Sequence, residues 1–325
     1  MTLRFHVVGC GSIGQRHVKN LLSIGHKVTI YDSNIALAKK ISKQFGVEQS
    51  SSTISCNADC IFVCTPPSSH VQIAKKAILC NSNIFIEKPF SNSNNTKQIL
   101  EFSKKTKSKV FVGYVFRFDK GLQTIKKLLS QKKIGKIISF DAYEGWYLPL
   151  WRPWQNHTKS YTGSTKLGGG IILDGSHELN YLLWLGGNIK EVFSYYRTIP
   201  SLKVKTEGIA EILLKFQSKA IGRIHLDFVN PKYNRHCEIL GENGSIRWNF
   251  ETKKIEIQNI GSSKFRTLRY ATDNNQMYVD EIKHITSCIQ GKQKNDLINL
   301  EDAQKTLNIS LAIKKSGKIG QVVSI

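Results

Sequence analysis

Apolar positions in the first third of the chain fall into short unbroken runs. Between the runs, apolar residues recur every three or four positions. Leu3–Gly9, Lys27–Tyr31, Cys60–Cys64, Ile84–Ile86 and Val110–Gly113 read as strands, rich in β-branched residues and doubly buried. The intervening stretches read as helices. The first carries Val18, Leu21 and Leu22 on one face, the second (34–45) carries Ile35, Ala38 and Ile41, a third begins near Ser69, and a fourth spans 93–107. Strands alternating with helices predict a doubly wound parallel sheet. From about Asp119 the rhythm changes. A helix over 120–131 and a strand over Ile137–Glu144 precede a helix over Asp174–Trp184. Strands follow near 190–198, 208–216, 220–229, 235–241, 244–250 and 254–259. Turns as tight as Glu242-Asn243-Gly244 make that sheet mostly antiparallel. Helices over 276–290 and 301–316 end the chain. The predicted fold is α/β: an N-terminal doubly wound domain over 1–118 and a C-terminal α+β domain over 119–325. At 325 residues the chain exceeds what one hydrophobic core holds.

The first strand runs directly into Gly9-Cys10-Gly11-Ser12-Ile13-Gly14. A bare GxGxxG is weak evidence, but this one has a strand before it and a helix after it. An acid, Asp32, also ends the next strand. The first glycine permits a tight turn, the second lets backbone approach a pyrophosphate, and the third lets helix and strand pack closely. The helix N-terminus then faces the phosphates. Gly9, Cys10, Gly11, Ser12, Ile13 and Gly14 are therefore expected to bind a dinucleotide in a Rossmann domain. Asp32 would accept the two ribose hydroxyls and repel a 2′-phosphate. No arginine stands beside it, so NAD is expected rather than NADP.

Charge and cysteines change this picture little. The net charge is +23, but the lysines are scattered and no basic strand interleaved with aromatics appears. No nucleic-acid partner is expected, and attraction of an anionic substrate is the alternative use of the charge. No apolar run reaches the roughly 18 residues of a membrane span, and MTLRFHVVGCG is no secretory signal. A cytoplasmic protein with no membrane partner is expected. Cys56, Cys60 and Cys64 stand four apart without a fourth ligand, which argues against a metal. The seven cysteines are expected to be reduced thiols.

Three further segments carry a resemblance. They are Cys64-Thr65-Pro66-Pro67-Ser68-Ser69-His70, then Glu87-Lys88-Pro89, then Gly168-Gly169-Gly170-Ile171-Ile172-Leu173-Asp174-Gly175-Ser176-His177. With the glycine loop, and with Glu238–Trp248 further on, the chain resembles the glucose–fructose oxidoreductase/inositol dehydrogenase/MocA family over essentially its whole length. The resemblance implies that Thr65, Pro66 and Pro67 line the cofactor, with Glu87 and Lys88 at the nicotinamide end. It implies a cis peptide at Lys88-Pro89, and Asp174 and His177 facing Lys88 across an interdomain cleft. Arg117 matches an arginine of the strand leaving the first domain and would bind substrate. His70 either touches the cofactor or packs, and Arg16 and His17 either pack or lie near phosphate. Two departures stand out. Asp174 and His177 are three apart where four is commoner, though both spacings share a helix face. Val115 replaces a frequent asparagine.

Alcohol oxidation needs a hydride acceptor and a base within reach of the hydroxyl. His177 has a suitable ordinary pKa, and Lys88 is the alternative base or a polarising group. Asp174 would orient either the histidine or the substrate. The segment Trp146–Trp154 is dense in aromatics. Trp154 and Tyr161 are expected to touch a sugar, or else to pack on the core. The activity implied is an NAD-dependent dehydrogenase acting on a hydroxyl of a sugar, cyclitol or nucleotide sugar, with an impression of surface-glycan biosynthesis. Its rivals are a redox-neutral, NAD-using sugar enzyme and an idle dinucleotide-binding regulator. One free face of the second domain's sheet predicts a homodimer or homotetramer.

Overall fold

The computed structural model describes every residue from Met1 to Ile325 except Thr272. The chain forms two compact units. The first comprises Met1–Val115 and Asn274–Gln304, and the second comprises Phe116–Asp273 and Lys305–Ile325. The sequence suggests one division near residue 118. Instead, Asn274–Gln304 belongs with the first unit, because helix α9 (Gln276–Ile289) lies against α1 (Ser12–Ser23). A local hydrophobic pattern does not record which sheet a late helix covers.

The first unit is a six-stranded parallel sheet in the order β3-β2-β1-β4-β5-β6. Its strands are β1 (Arg4–Val8), β2 (Lys27–Tyr31), β3 (Glu48–Gln49), β4 (Cys60–Val63), β5 (Asn83–Glu87) and β6 (Val110–Gly113). Every residue of β4 and β6 is buried, which is why these strands read as unbroken apolar runs. Helices α2 (Ile35–Phe45), α3 (Pro67–Ile78) and α4 (Lys97–Lys105) join α1 as crossovers. Pro67 starts α3 two residues earlier than expected, since proline's fixed φ suits a first helical turn. The two-residue β3 is too short to show a pattern. The chain order reverses between β1 and β4, where α/β sheets bind ligands at the strands' carboxyl ends.

The cysteines depart from expectation. Cys56 and Cys80 form a disulfide, with Cα atoms 4.9 Å apart. Cys56 lies in the turn before β4 and Cys80 just past α3, so this βα unit brings both ends together; their spacing in sequence does not reveal it. The other five cysteines are buried free thiols. Among the described residues, no group of three or more potential ligands could hold a metal ion. No helix there is long and apolar enough to cross a membrane.

The second unit is a nine-stranded mixed sheet, ordered β14-β13-β12-β11-β7-β10-β9-β8-β15. Its strands are β7 (Ile137–Gly145), β8 (Ile189–Arg197), β9 (Ile209–Phe216), β10 (Ile221–Asp227), β11 (Asn234–Gly241), β12 (Gly244–Asn249), β13 (Lys254–Asn259), β14 (Arg266–Arg269) and β15 (Val323–Ser324). Among the described residues only β7 and β10 of this sheet pair in parallel. Strands β9 and β10 alternate buried and exposed positions, so one face is core and the other is open. Helices α5 (Lys120–Ser130), α6 (Leu148–Trp151), α7 (Ile171–Asp174) and α8 (Ser176–Gly186) precede β8, and α10 (Leu300–Ile319) closes the chain. The strands β14 and β15 carry no apolar alternation, and the sequence does not announce them.

Candidate active site

The glycine loop is shaped by close backbone approach. Gly9 has φ +102°, and a Cβ there would lie 2.7 Å from the Cys64 carbonyl. A Cβ on Gly14 would collide with the Gly9 carbonyl oxygen. At both positions any side chain would strain the loop. Gly11 differs, because a Cβ there meets nothing within 4 Å. Gly11 stands as N-cap of α1 with no side chain capping the helix, leaving first-turn N–H groups beside open space. That is the cradle a pyrophosphate requires, and the residues fit an NAD-type dinucleotide.

Asp32 sits at the end of β2 and ties two loops. One carboxylate oxygen accepts the Cys10 amide at 2.7 Å, and the other accepts the Asn34 amide at 2.8 Å. Each oxygen keeps a lone pair for a ribose hydroxyl. Cys10 departs from its expected role, since its amide is committed to Asp32. Its thiol is buried and is pushed up to about 12 by burial and by Asp32. Ser12 and Ile13 occupy the first turn of α1.

His70 is fully buried on α3. Its Nε2 lies 2.7 Å from the Thr65 carbonyl and its Nδ1 2.9 Å from the Pro89 carbonyl. Of the two expected readings, packing describes it: the ring joins the Thr65-Pro66 loop to the Lys88-Pro89 turn. Burial lowers its pKa. Pro67 is likewise buried, as the first residue of α3. Thr65 accepts a hydrogen bond from the Ser69 hydroxyl at 2.7 Å. The Lys88-Pro89 peptide is cis, as the resemblance implies. Lys88 is half-buried. Glu87 points inward, accepting the Lys88 amide at 3.1 Å and facing His17 Nε2 at 2.7 Å. It anchors the lysine's backbone from below the surface. His17 is buried among Phe62, Phe85 and Tyr278.

In the second unit, Gly168 and Gly170 adopt φ of +86° and +114°. A Cβ on Gly169 would strike the Tyr161 and Thr162 carbonyls. This close approach brings the Tyr161 hydroxyl to Asp174, which accepts it at 2.6 Å. Burial and the Asp174 charge push the Tyr161 hydroxyl's pKa well up, so it stays a donor. The helix expected over Asp174–Trp184 is two helices: Asp174 ends α7, Gly175 breaks the chain, and His177 lies in the first turn of α8. Asp174 is 4% exposed and His177 8%. The Phe116 ring packs 5.0 Å from His177, and the Arg235 guanidinium lies 4.2 Å from the Phe116 ring centre. Arg235 is itself held by buried Glu178 at 2.8 Å and by Glu144. Burial raises the Glu178 pKa, and Arg235 opposes that rise.

Two expected substrate residues are placed otherwise. Arg117 is 1% exposed. It donates to the Asn180 side chain at 2.7 Å and lies 5.1 Å from the Trp184 ring centre. It fastens the segment after β6 to α8 as part of the core, because its planar head finds a carbonyl and a ring there. Trp154 is 77% exposed. The sequence also gives no role to Arg152, whose guanidinium lies 5.8 Å from the Tyr161 ring centre. Glu281 went unnoticed too. It sits among Met277, Ile282, Ile285 and Cys288, buried apolar residues of α9, and a glutamate on an apolar stripe is a legible anomaly.

Comparison with known proteins identifies the family and the fold. Residues 3–114 match the oxidoreductase family with an NAD-binding Rossmann fold, and residues 122–247 match the GFO/IDH/MocA C-terminal domain. The scyllo-inositol 2-dehydrogenase (NAD(+)) of Bacillus subtilis strain 168 is 26% identical, with 99% of this chain and 96% of that protein covered. The myo-inositol 2-dehydrogenase of Thermotoga maritima is 23% identical over 97% of this chain and 96% of its own. The structure of levoglucosan dehydrogenase in complex with NADH and levoglucosan shares the fold at a TM-score of 0.89. It is 18% identical and covers 100% of both chains. The chain belongs to the GFO/IDH/MocA family of oxidoreductases and uses NAD through its Rossmann domain.

Proposed function

We propose that the protein oxidises a secondary hydroxyl of a cyclitol, sugar or sugar derivative, or reduces the matching ketone. Lys88, Asp174 and His177 are the residues that act. The observation that carries this reading is the buried Asp174 carboxylate, oriented by the Tyr161 hydroxyl at 2.6 Å and three residues before His177. Burying a carboxylate costs folding free energy that its hydrogen bond only partly offsets, so a buried acid beside a histidine is a candidate for function. Relatives covering nearly the full length are named as inositol dehydrogenases, which supports the polyol class.

NAD, held by the glycine loop and Asp32, would supply the acceptor for the hydride of the carbinol carbon. The chain's own residues manage the proton and the geometry. His177 accepts the hydroxyl proton, and Phe116 restrains the ring on one side. Asp174 accepts hydrogen bonds from a neighbouring substrate hydroxyl, its other demand being met by Tyr161. Lys88, held at its amide by Glu87, polarises the reacting oxygen. As in all such chemistry, fixed donors favour the alkoxide that develops.

The open sheet face also bears Tyr195, Leu213 and Ile221, at 66%, 50% and 61% exposed. A second copy covering this face is part of the proposal, and light scattering tests it. The activity is tested by following NADH absorbance with NAD and a panel of inositols, aldoses, anhydro sugars and nucleotide sugars. Turnover of at least one class supports the reading. Tight NAD binding with no turnover across the panel overturns it.

A further inference from the structure

The second unit holds a pocket that the chemistry above does not use. It is lined by Leu148, Trp151, Arg152, Gln155, His157 and Ser160. Leu148 and Trp151 give it an apolar wall. Most of its donors are already spent on main-chain carbonyls. The Trp151 indole donates to the Trp146 carbonyl at 3.2 Å, the Ser160 hydroxyl donates to the His157 carbonyl at 2.7 Å, and His157 Nε2 lies 2.9 Å from the Leu202 carbonyl. The Arg152 guanidinium is not spent. Among the described residues no acid pairs with it and no oxygen accepts from it.

Arg152 stands apart from the other arginines. Arg117 and Arg235 are buried, Arg152 is half-buried, and the rest are exposed. Arg117 donates to Asn180 and Arg235 to Glu178, as cations withdrawn from water require. Arg152 has only a ring, the centre of Tyr161 lying 5.8 Å from its guanidinium. An arginine against a ring uses its flat face and keeps its N–H edge, a fork that matches a carboxylate or a phosphate. The same ring ties the pocket to the reacting end. The Tyr161 hydroxyl donates to Asp174 at 2.6 Å. Burial and Asp174 raise that hydroxyl's pKa, and the Arg152 charge works against the rise. One side chain thus stands beside both the uncommitted cation and the acid assigned to the substrate.

We propose that the substrate carries an anionic group, a carboxylate or a phosphate, which Arg152 binds in this pocket while Asp174 engages a hydroxyl of the same molecule. The inference rests on the reading of Asp174 as a substrate ligand and deepens it by naming the substrate class. Leu148 and Trp151 keep water from one side of the ion pair, which strengthens it, and Gln155 offers a second donor. The net charge of +23 favours the arrival of an anion. A neutral cyclitol fills the hydroxyl contact and leaves Arg152 unpaired, so it is the weaker ligand. The bound anion does not react, so its contact acts on affinity and on KM more than on kcat.

Calorimetric titration of the full-length protein, saturated with NADH, compares charged sugars with their neutral counterparts. The carboxylate arm sets glucuronate and galacturonate against glucose and galactose. The phosphate arm sets hexose phosphates and UDP-glucose against the free hexoses. The expected result is a dissociation constant about ten to a hundred times lower for at least one charged ligand, the range for a hydrogen bond to a charged group. The preference should shrink as salt is added, and the arm that shows it names the group. Arg152→Gln should erase the difference while the melting temperature holds, and Arg152→Lys should restore part of it. Charged ligands that bind no tighter than neutral ones overturn the inference, as does a preference that survives in Arg152→Gln. Turnover of neutral polyols with no gain from a charged group overturns the inference and leaves the dehydrogenase reading standing. Binding of no sugar in either arm overturns the inference together with the substrate reading beneath it.

Discussion

The two units build polar sites in opposite ways. In the first, backbone geometry dominates: Gly9, Gly11 and Gly14 shape a cradle, and Asp32 and His70 spend their hydrogen bonds on main-chain groups. In the second, side chains hold side chains. Tyr161 orients Asp174, Phe116 and Arg235 back His177, and Glu178 and Glu144 hold Arg235. A cofactor shared by many enzymes can be met by backbone, which any sequence supplies once its glycines are right. A particular substrate needs side chains placed by distant partners. Substitutions in the second unit should therefore disturb turnover while sparing cofactor affinity, and those in the first should do the reverse.

The largest expected effect is at His177. His177→Ala should lower kcat by about 10²–10⁴-fold, the range of a lost acid–base group, with the NAD dissociation constant nearly unchanged. Steady-state kinetics and a fluorescence titration check both halves. Unchanged turnover would return His177 to a packing role. Gly14→Ala comes next, and it should act on stability. The added methyl meets the Gly9 carbonyl oxygen, so the loss should exceed the about 1–3 kcal/mol of ordinary overpacking, read by thermal denaturation. Gly11→Ala is its control. The methyl meets no protein atom, so the melting temperature should hold while NAD affinity falls about tenfold or more, because the pyrophosphate's approach is blocked. Equal effects of the two alanines on stability would dissolve the distinction.

How much of this was legible beforehand follows the same division. The glycine loop and Asp32 could be read because local sequence encodes backbone geometry, while the cis turn at Lys88 came through the family resemblance. The parallel sheet could be read because its strands are doubly buried. The second unit was legible as a mostly antiparallel sheet, but not in its details. Gly175 splits a helix that hydrophobic spacing draws as continuous. Arg117 passes for a substrate ligand until Asn180 and Trp184 are seen to claim it. The Cys56–Cys80 bond and the His17–Glu87 contact join residues remote in sequence, and no local pattern carries them.

Smaller effects refine the comparison. Tyr161→Phe removes the donor to Asp174 and should cost about 1–3 kcal/mol of the interaction. That loss should appear as a raised KM and reduced kcat with NAD affinity intact; a loss confined to cofactor binding would contradict it. Asp32→Ser should narrow the preference for NAD over NADP several-fold, on the order of the about 1 kcal/mol of one charge contact. Tighter NADP binding by the unmodified protein would refute the role of Asp32. The mildest effect is the pH dependence of stability. The Glu281 pKa is raised in the folded state, so its contribution is complete below the ordinary carboxyl range. It is lost as pH rises through the folded value. Glu281→Gln should accordingly flatten the decline of the melting temperature as pH rises above the ordinary carboxyl range.

The central claim is direct transfer of a hydride between a polyol carbon and NAD. Incubation of the protein with NAD+ and myo- or scyllo-inositol carrying carbon-bound deuterium, followed by mass spectrometry of the cofactor, tests it most directly. The expected result is NADH carrying one deuterium. Tight NAD+ binding with no deuterium in the cofactor, for these and the other polyols and sugars of the panel, would contradict it.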